Sequence, residues 1–277
     1  MKKKIIIILT ILIISITSCA SKDNTETTIN DEQLSVNTST NEEISGILKD
    51  YNSIMSTNDL EYSSQEDLQN TQYIFGEDTI TNTYTASIER GKDENGNIIV
   101  KQDIISEDNY GKEERQVFYK DDYIYFNDNV KEKYPTTFLE FSQNFLLTST
   151  LTFEEADIIN AIWEKNNDEI IYTFYIDIKA PYFNDLLGSN SNVLSQFFSV
   201  DAEIIKLTAS DVKYEVNFDL DNKIKEFKLN YDLNLAENKM YGIPQSSISL
   251  DCLTTINLLE PSYEVELPED LDSYEEG

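Results

Sequence analysis

The stretch VKYEVNFDLDNKIKEFKLNYDLNL, from Val212 to Leu235, alternates apolar and polar residues in two successive runs. In the first run, Val212 to Leu220, every second residue is apolar, and the second run repeats this pattern from Phe227 to Leu235. Successive side chains of a β-strand point to opposite faces, so each run predicts a strand with one apolar and one polar face. The letters LDNK between the runs are typical of a turn. The stretch therefore predicts a long antiparallel hairpin with one face covered and one face in water.

The same alternation recurs along most of the chain. Two further runs, Ile170 to Ile178 and Ile248 to Leu258, also place apolar residues on one face. The letters ENGN at residues 94–97 are a strong hairpin signal between two more alternating stretches. The stretch RQVFYKDDYIYFN predicts a shorter hairpin that turns near residues 120–122. We therefore predict about nine strands in a meandering antiparallel sheet.

Three stretches have helical spacing instead. Residues 41–59 repeat apolar side chains at i, i+3, i+4 and i+7, which indicates an amphipathic helix. In TTFLEFSQNFLLTS, Thr137 and Glu140 stand in the register of a capping box, which predicts a second helix. Residues 180–199 predict two short helices separated by Gly188, either as a lid over a binding site or as additional core packed on the sheet. The predicted fold class is therefore α+β, mainly antiparallel β.

The N-terminus has the pattern of an export signal. Lys2–Lys4 precede an apolar run, Ile5–Ile16, which at about 1.5 Å per helical residue is well short of the roughly 30 Å hydrocarbon core of a bilayer. The letters ITSC that end at Cys19 resemble the bacterial lipobox. This resemblance implies that residues 1–18 are a lipoprotein signal peptide and that Cys19 receives a diacylglycerol, which anchors the chain to the membrane. An ordinary secretory signal with an incidental cysteine is the alternative.

The rest of the chain divides into a tether and one domain. Residues 19–40 are polar and lack periodicity, which predicts a disordered tether, and residues 41–277 form a single domain with an acidic C-terminal tail. The formal net charge of −31 makes nucleic acid an improbable partner and opposes binding to anionic lipid head groups. The predicted membrane partner is therefore the diacylglycerol on Cys19. The richness in Ile, Asn, Lys and Tyr is typical of an AT-rich bacterial genome and favours the outer face of the cytoplasmic membrane.

The residue inventory argues against an enzyme. The chain contains no histidine, which excludes His-activated nucleophiles and most zinc sites. Its glycines form no phosphate-binding loop, and the DENGN stretch at residues 93–97 lacks the spacing of a calcium loop. Cys252 is in phase with the apolar face of its strand, which indicates a buried, unreactive thiol. We therefore predict no catalytic residue, no metal site and no cofactor.

The order of these features, from Asn41 to Leu271, resembles that of lipoprotein-localisation proteins of the LolA/LolB type. That resemblance implies a curved sheet, or half-barrel, around helices, with acyl chains bound in its concave face. The predicted function is therefore an extracytoplasmic lipoprotein that binds an apolar or acyl-type ligand. The candidate ligand-binding residues are large side chains of the apolar face and of the predicted lid: Phe174, Phe183, Phe197, Tyr214, Phe218, Phe227 and Tyr231. The alternative is a non-catalytic interaction or sensor protein of the cell envelope, with a protein partner and a filled core.

Overall fold

A computed structural model describes residues 39–127, 131–146, 153–177, 194 and 198–276. Within these residues, 12 strands form one sheet in the order β12-β6-β5-β4-β3-β2-β1-β11-β10-β9-β8-β7. In chain order the strands are β1 (Ser63–Phe75), β2 (Asp78–Lys92), β3 (Ile98–Asp108), β4 (Gly111–Lys120), β5 (Tyr123–Asn127), β6 (Lys131–Pro135), β7 (Ile158–Lys165), β8 (Glu169–Ile176), β9 (Leu207–Asp219), β10 (Ile224–Leu235), β11 (Ser246–Leu258) and β12 (Glu275–Glu276). The helices are α1 (Asn41–Met55) and α2 (Phe138–Phe145), with 3-10 turns at Glu155–Asp157, Ala202–Ile204 and Leu271–Ser273.

The sheet is open, curved and almost entirely antiparallel, which confirms the predicted fold class. Among the described strands, only the short β12 pairs in parallel, with β6. The two halves of the chain, β1–β6 and β7–β11, join where β1 pairs with β11 along its whole length. The predicted hairpin of Val212 to Leu235 is confirmed as β9 and β10. The expected number of strands was too low, chiefly because β1, β6 and β12 lack a regular apolar face.

The hairpin turns have the backbone that their residues predict. Gly96, in the turn between β2 and β3, has a φ of 85°, a left-handed conformation that favours glycine. The two residues between β4 and β5, Asp121 and Asp122, have φ values of 52° and 59°. Two consecutive positive φ values match the right-handed twist of the flanking strands and close the shorter predicted hairpin.

Helix α1 begins at a capping box and packs one face on the sheet. The Thr40 side chain accepts a hydrogen bond from the Glu43 backbone N–H, and the Glu43 carboxylate accepts one from the Thr40 N–H at 2.7 Å. These bonds pair backbone donors that the first turn leaves free. Ile44, Leu48 and Tyr51 are buried, which confirms the predicted apolar stripe.

Helix α2 has the predicted capping box as well. Thr137 is its N-cap, and the side chain of Glu140 closes the box. Phe141, from the middle of α2, is buried against the sheet near Tyr119, with ring centroids 5.0 Å apart. The two short helices predicted within residues 180–199 lie almost entirely outside the described residues.

Both helices pack on the same face of the sheet, which we call the inner face. Under α1, the strands β7–β11 and the ends of β1 and β2 form one apolar cluster, the α1 cluster. Under α2, side chains of β2–β5 form a second one, the α2 cluster. In sheet order, β1 lies between β11, which belongs to the α1 cluster, and β2, most of which belongs to the α2 cluster.

The C-terminal segment crosses the opposite, outer face. An added Cβ at Gly91 would lie 3.0 Å from Cγ2 of Val265 and 3.3 Å from the Tyr263 carbonyl oxygen, so the segment passes directly over this glycine. Further on, Leu271 and Tyr274 bury Phe118 and Tyr125. The predicted acidic tail therefore packs on the sheet through its apolar side chains, up to residue 276.

No described helix is long and apolar enough to cross a membrane. The predicted signal peptide, the predicted lipid attachment residue Cys19 and most of the predicted tether lie outside the described residues. The last two residues of the predicted tether belong to the fold: Thr40 caps α1, and the Ser39 hydroxyl donates a hydrogen bond of 2.9 Å to the Ala161 carbonyl of β7.

Candidate functional site

The central strand β1 has a polar inner face. Its residues Ser63, Gln65, Asp67, Gln69 and Thr71 occupy alternate positions, and each is at most 3% exposed. The outward positions between them are half-buried at Ser64 and exposed at Glu66, Leu68 and Asn70. Hydrophilic side chains are thus inside and an apolar one is outside, which is the reverse of the usual distribution for a sheet with one covered face. This inversion singles out the middle of the inner face as unusual.

Neighbouring strands extend this polar surface. Side chains directly opposite in an antiparallel pair share a face. Across the sheet, Thr254 is opposite Asp67, Asp67 is opposite Ala86, Ala86 is opposite Ile104, and Ile104 is opposite Arg115. The same registers bring in polar residues two or four positions along the strands. We call the resulting set the polar band; it comprises Gln65, Asp67, Gln69, Thr71, Asn82, Gln102, Arg115 and Thr254.

Hydrogen bonds hold part of the polar band in place. The Thr254 hydroxyl donates to Asp67 Oδ1 at 2.7 Å. Gln102 Nε2 donates to the Tyr84 hydroxyl at 3.0 Å and to the Phe145 carbonyl, at the end of α2, at 3.3 Å. The second contact ties the band directly to α2.

Other atoms of this surface have no hydrogen-bond partner in the part of the chain that the structure describes. Six buried side-chain atoms form no hydrogen bond to any described residue: Asp67 Oδ2, Gln69 Oε1, Tyr73 OH, Asn82 Oδ1, Gln102 Oε1 and Arg115 Nη2. Leaving a buried polar atom unpaired costs about 1–3 kcal/mol, and native proteins hold few such atoms. Their concentration on neighbouring strands makes this part of the inner face a candidate site for a polar group.

Burial also changes the ionisation of Asp67. Removal from water raises the pKa of its carboxyl group to about 7, although the Thr254 hydrogen bond and the charge of Arg90 act in the opposite direction. Arg90 lies on the inner face of β2, and burial lowers the pKa of its guanidinium to about 10. The middle of the sheet therefore contains two ionisable groups in a water-poor environment.

Five of the predicted ligand-binding residues lie together in the α1 cluster. Phe174, Tyr214, Phe218, Phe227 and Tyr231 are all buried. The ring of Tyr51 from α1 packs among them, 5.1 Å from Phe174 and 6.1 Å from Phe218. Phe153 adds a ring 4.7 Å from that of Phe174. Phe183 and Phe197 lie outside the described residues.

A small cavity lies at the edge of the sheet, away from the polar band. It has a volume of about 450 Å³ and is lined by residues of the first turn of α1 and the segment leading into β7: Asn41, Ile44, Glu155, Ala156 and Ile158. In sheet order, β7 is separated from β1 by four strands. The residues that line this cavity include no group of unpaired polar atoms comparable to that of the polar band. We therefore regard the polar band as the better candidate site.

The described residues contain no group of three or more His, Cys, Asp or Glu side chains arranged to hold a metal ion. Cys252 is buried next to the polar band, opposite Gln69. Burial raises the pKa of its thiol well above the ordinary value, as expected for an unreactive cysteine.

The chain matches no family model and no curated protein. Among solved structures, it is similar to LprF from Mycobacterium bovis, with 8% identity, 80% of this chain and 98% of that chain covered, and a TM-score of 0.33. A LolA superfamily protein from Nitrosomonas europaea follows with 10% identity, 82% and 96% coverage, and a TM-score of 0.26. A putative outer membrane lipoprotein-sorting protein domain from Vibrio parahaemolyticus has 10% identity, 83% and 97% coverage, and a TM-score of 0.25.

These neighbours include the class of protein that the sequence resembles. All of these TM-scores are below 0.5, so the similarities carry no argument about what this chain binds.

The polar band was not predicted from the sequence because β1, its central strand, lacks the alternation of apolar and polar residues that indicates a strand. The stretch SSQEDLQNTQYIF has no apolar alternation over its first 9 residues. One signal does separate its two faces: the inward positions carry three amide or carboxylate side chains between hydroxyl residues, whereas the outward ones mix Glu66 with Leu68. That signal becomes informative only when both neighbouring strands are known.

Proposed function

We propose that this protein is an extracytoplasmic lipoprotein that binds an acyl-type amphiphile on the inner face of its sheet. One observation carries the proposal: two apolar clusters on one face flank a buried polar band with unpaired hydrogen-bonding atoms. An amphiphile has the same distribution of apolar and polar groups.

The energetics favour a ligand over a purely structural role. A closed core would be more stable with apolar residues at these positions, because each unpaired buried polar atom costs about 1–3 kcal/mol. A bound molecule that pairs several of these atoms recovers that free energy only when it binds. Such a site is therefore retained for binding rather than for stability.

The ligand's tail would lie against apolar side chains next to the band. On one side these are Cys252, Leu250 and Leu229 of the α1 cluster, and on the other Ile88, Ile104 and Val117 of the α2 cluster. The predicted aromatic residues Phe174, Tyr214, Phe218, Phe227 and Tyr231, with Phe183 and Phe197, remain the proposed apolar walls further out. Ligand binding in proteins commonly combines such apolar walls with a few placed polar groups.

The cellular location is also part of the proposal. The location is supported by the lipobox-like residues 16–19. The net charge of −31 opposes binding of the protein surface to anionic head groups, so a lipid on Cys19 is the proposed means of attachment. We propose that the anchor holds the domain at the outer face of the cytoplasmic membrane, where amphiphiles are abundant.

A second function is supported by a different observation. The Tyr51 ring is fully buried and contacts three other aromatic rings of β8 and β9, so part of the inner face is already filled. A face that is filled throughout would fit a non-catalytic interaction or sensor protein, which binds an envelope partner through its exterior.

One pair of variants distinguishes these two functions. Ala86 is the shortest side chain in its cross-strand row, between Asp67 and Ile104, and Ser87 is the next residue along the strand, on the outer face. The full chain carrying Cys19→Ser would be titrated with a fluorescent fatty acid. Saturable binding is expected, weakened about tenfold or more by Ala86→Leu and unchanged by Ser87→Leu, because only the first fills the inner face.

Native mass spectrometry of the same proteins would detect lipid carried from the cell. Thermal melting of each variant would establish that it is folded before its binding is interpreted. Absence of bound lipid and of saturable probe binding in the folded parent protein would reject the amphiphile and favour the interaction protein.

A further inference from the structure

We infer that the polar band binds an anionic head group with several hydroxyls, of the phosphoglycerol type. This inference rests on the proposed function, because it specifies the polar part of the amphiphile. The unpaired hydrogen-bonding atoms of the band and the guanidinium of Arg115 support it.

The unpaired atoms of the band are mostly acceptors. Asp67 Oδ2, Gln69 Oε1, Asn82 Oδ1 and Gln102 Oε1 are oxygens without a donor among the described residues. The amide nitrogens of Gln69 and Gln102 already donate to Thr71 and Tyr84, which fixes the orientation of both amides. A ligand that completes the band must therefore supply several donors, and neighbouring hydroxyl groups do so.

The charge of the surrounding surface points to an anion. The chain has two arginines, Arg90 and Arg115, and both lie on the inner face of a sheet in a protein whose net charge is −31. Asp67 is the buried acid among the described residues of this face, whereas Asp78 and Glu113 are exposed and Asp108 is half-buried. The charges of Asp67 and Glu61 both act on Arg90, whereas no described residue forms an ion pair with Arg115, which is therefore the positive group available to an anion.

Arg115 is the residue placed to receive the anionic group. Its Nη2 is buried and unpaired among the described residues, and it forms no ion pair with Asp67. Three strand spacings of about 4.8 Å separate the two residues, so their Cα atoms are about 14 Å apart along the sheet. The planar guanidinium matches the oxygens of a phosphate group and binds them through charge-assisted hydrogen bonds.

Other common head groups fit less well. A choline group has no hydrogen-bond donor and would leave the four acceptor oxygens unpaired. An ethanolamine group carries its donors on a single ammonium, which would place a second positive charge beside Arg115. A head group that is uncharged would pair the oxygens but leave the guanidinium of Arg115 without an anion. Phosphate together with glycerol hydroxyls satisfies both kinds of atom.

The test measures which lipid the full chain, carrying Cys19→Ser, extracts from vesicles. Phosphatidylcholine vesicles would contain a minor fraction of phosphatidylglycerol, phosphatidylethanolamine or diacylglycerol with the same acyl chains. Mass spectrometry would quantify the lipid bound to the reisolated protein. We expect phosphatidylglycerol to be bound about tenfold over phosphatidylcholine after correction for its mole fraction.

Arg115→Gln should lower the uptake of phosphatidylglycerol about tenfold without changing the uptake of diacylglycerol, which has no phosphate for Arg115 to bind. Lys112→Gln is the matched control, because it removes one exposed positive charge from the same strand and should have no effect. Melting curves would establish that both variants are folded. Free glycerol 3-phosphate, added as a competitor, should displace little phosphatidylglycerol if the acyl chains contribute to binding.

The outcomes separate the two levels of the proposal. Uptake of acyl lipids without head-group preference, or uptake of phosphatidylglycerol that Arg115→Gln leaves unchanged, would overturn the inference and leave the proposed function in place. It would mean that ordered water pairs the polar band. Displacement by free glycerol 3-phosphate at low concentration would support the head-group site but identify a soluble ligand. Failure to take up any lipid would overturn both.

Discussion

The Thr254 hydroxyl of β11 donates a hydrogen bond of 2.7 Å to one carboxylate oxygen of Asp67 on β1, while the second oxygen has no partner among the described residues. This pair lies where the two halves of the sheet join. One donor does not compensate an ionised carboxylate for the loss of water, which is why the pKa of Asp67 is raised to about 7. Asp67 therefore couples the fold to pH.

Asp67→Asn should remove a pH dependence of stability. The folded-state pKa of about 7 lies above the ordinary value of 3.8, so the folded state holds the proton more tightly than the unfolded state. The contribution of Asp67 to stability is present at low pH and is lost as pH rises from about 4 to about 7, with an upper bound of about 4 kcal/mol.

Urea denaturation at pH 5 and pH 8 would measure this effect. The variant should be more stable than the parent at pH 8 and should lose less stability between the two pH values. Asp221→Asn, in the exposed turn between β9 and β10, is the control and should behave like the parent. Equal pH dependence in Asp67→Asn and the parent would mean that the ionised carboxylate of Asp67 is fully hydrogen-bonded in the folded state.

Tyr51→Ala should destabilise the domain by about 3–5 kcal/mol, because it leaves a cavity among rings that cannot close around it. Tyr51 is fully buried and contacts Tyr172, Phe174 and Phe218. Leu139→Ala in α2 is the control, since Leu139 is 64% exposed and should change stability by less than about 0.5 kcal/mol. Chemical denaturation would compare them. A small loss in Tyr51→Ala would show that the α1 cluster is loosely packed.

Gly91→Ala should lower stability by about 1–3 kcal/mol, because the new methyl group would push against the C-terminal segment at Val265 and Tyr263. Gly46→Ala in α1 is the matched control: nothing lies within 4 Å of its added Cβ, and alanine is a better helix former, so stability should rise by about 0.5–1 kcal/mol. Thermal melting would compare the two variants. If Gly91→Ala were as stable as the parent, the segment would not be pressed against β2.

Cys19→Ala should abolish attachment of a fatty acid. The expectation follows from the position of Cys19 behind Ile16, Thr17 and Ser18 and after a short apolar run. Cells supplied with a labelled fatty acid should incorporate the label into the parent and not into the variant. Cys252→Ala is the control and should keep the label, since Cys252 is buried in the sheet. Label retained in Cys19→Ala would reject the lipobox.

Local sequence signals determined much of the fold. Alternating residues and a turn sequence were enough to predict the β9–β10 hairpin. Thr137 and Glu140 were enough to predict the start of α2. Both signals are local because strand periodicity and helix capping depend on residues close together in the chain. Positive φ at the turn residues Gly96, Asp121 and Asp122 follows from the same short-range chemistry. The burial of Phe174 and Phe218 followed from the phase of their strands.

Only the tertiary structure decided which polar residues are inside. Gln65, Asp67 and Gln69 are ordinary surface residues by composition, and they are buried because β1 pairs on one side with β2 and on the other with β11, far along the chain. Arg115 reaches the same face through two further strands. Strand periodicity separates the two faces of a strand, but which face is covered depends on long-range pairing, so the polar band has no local signature.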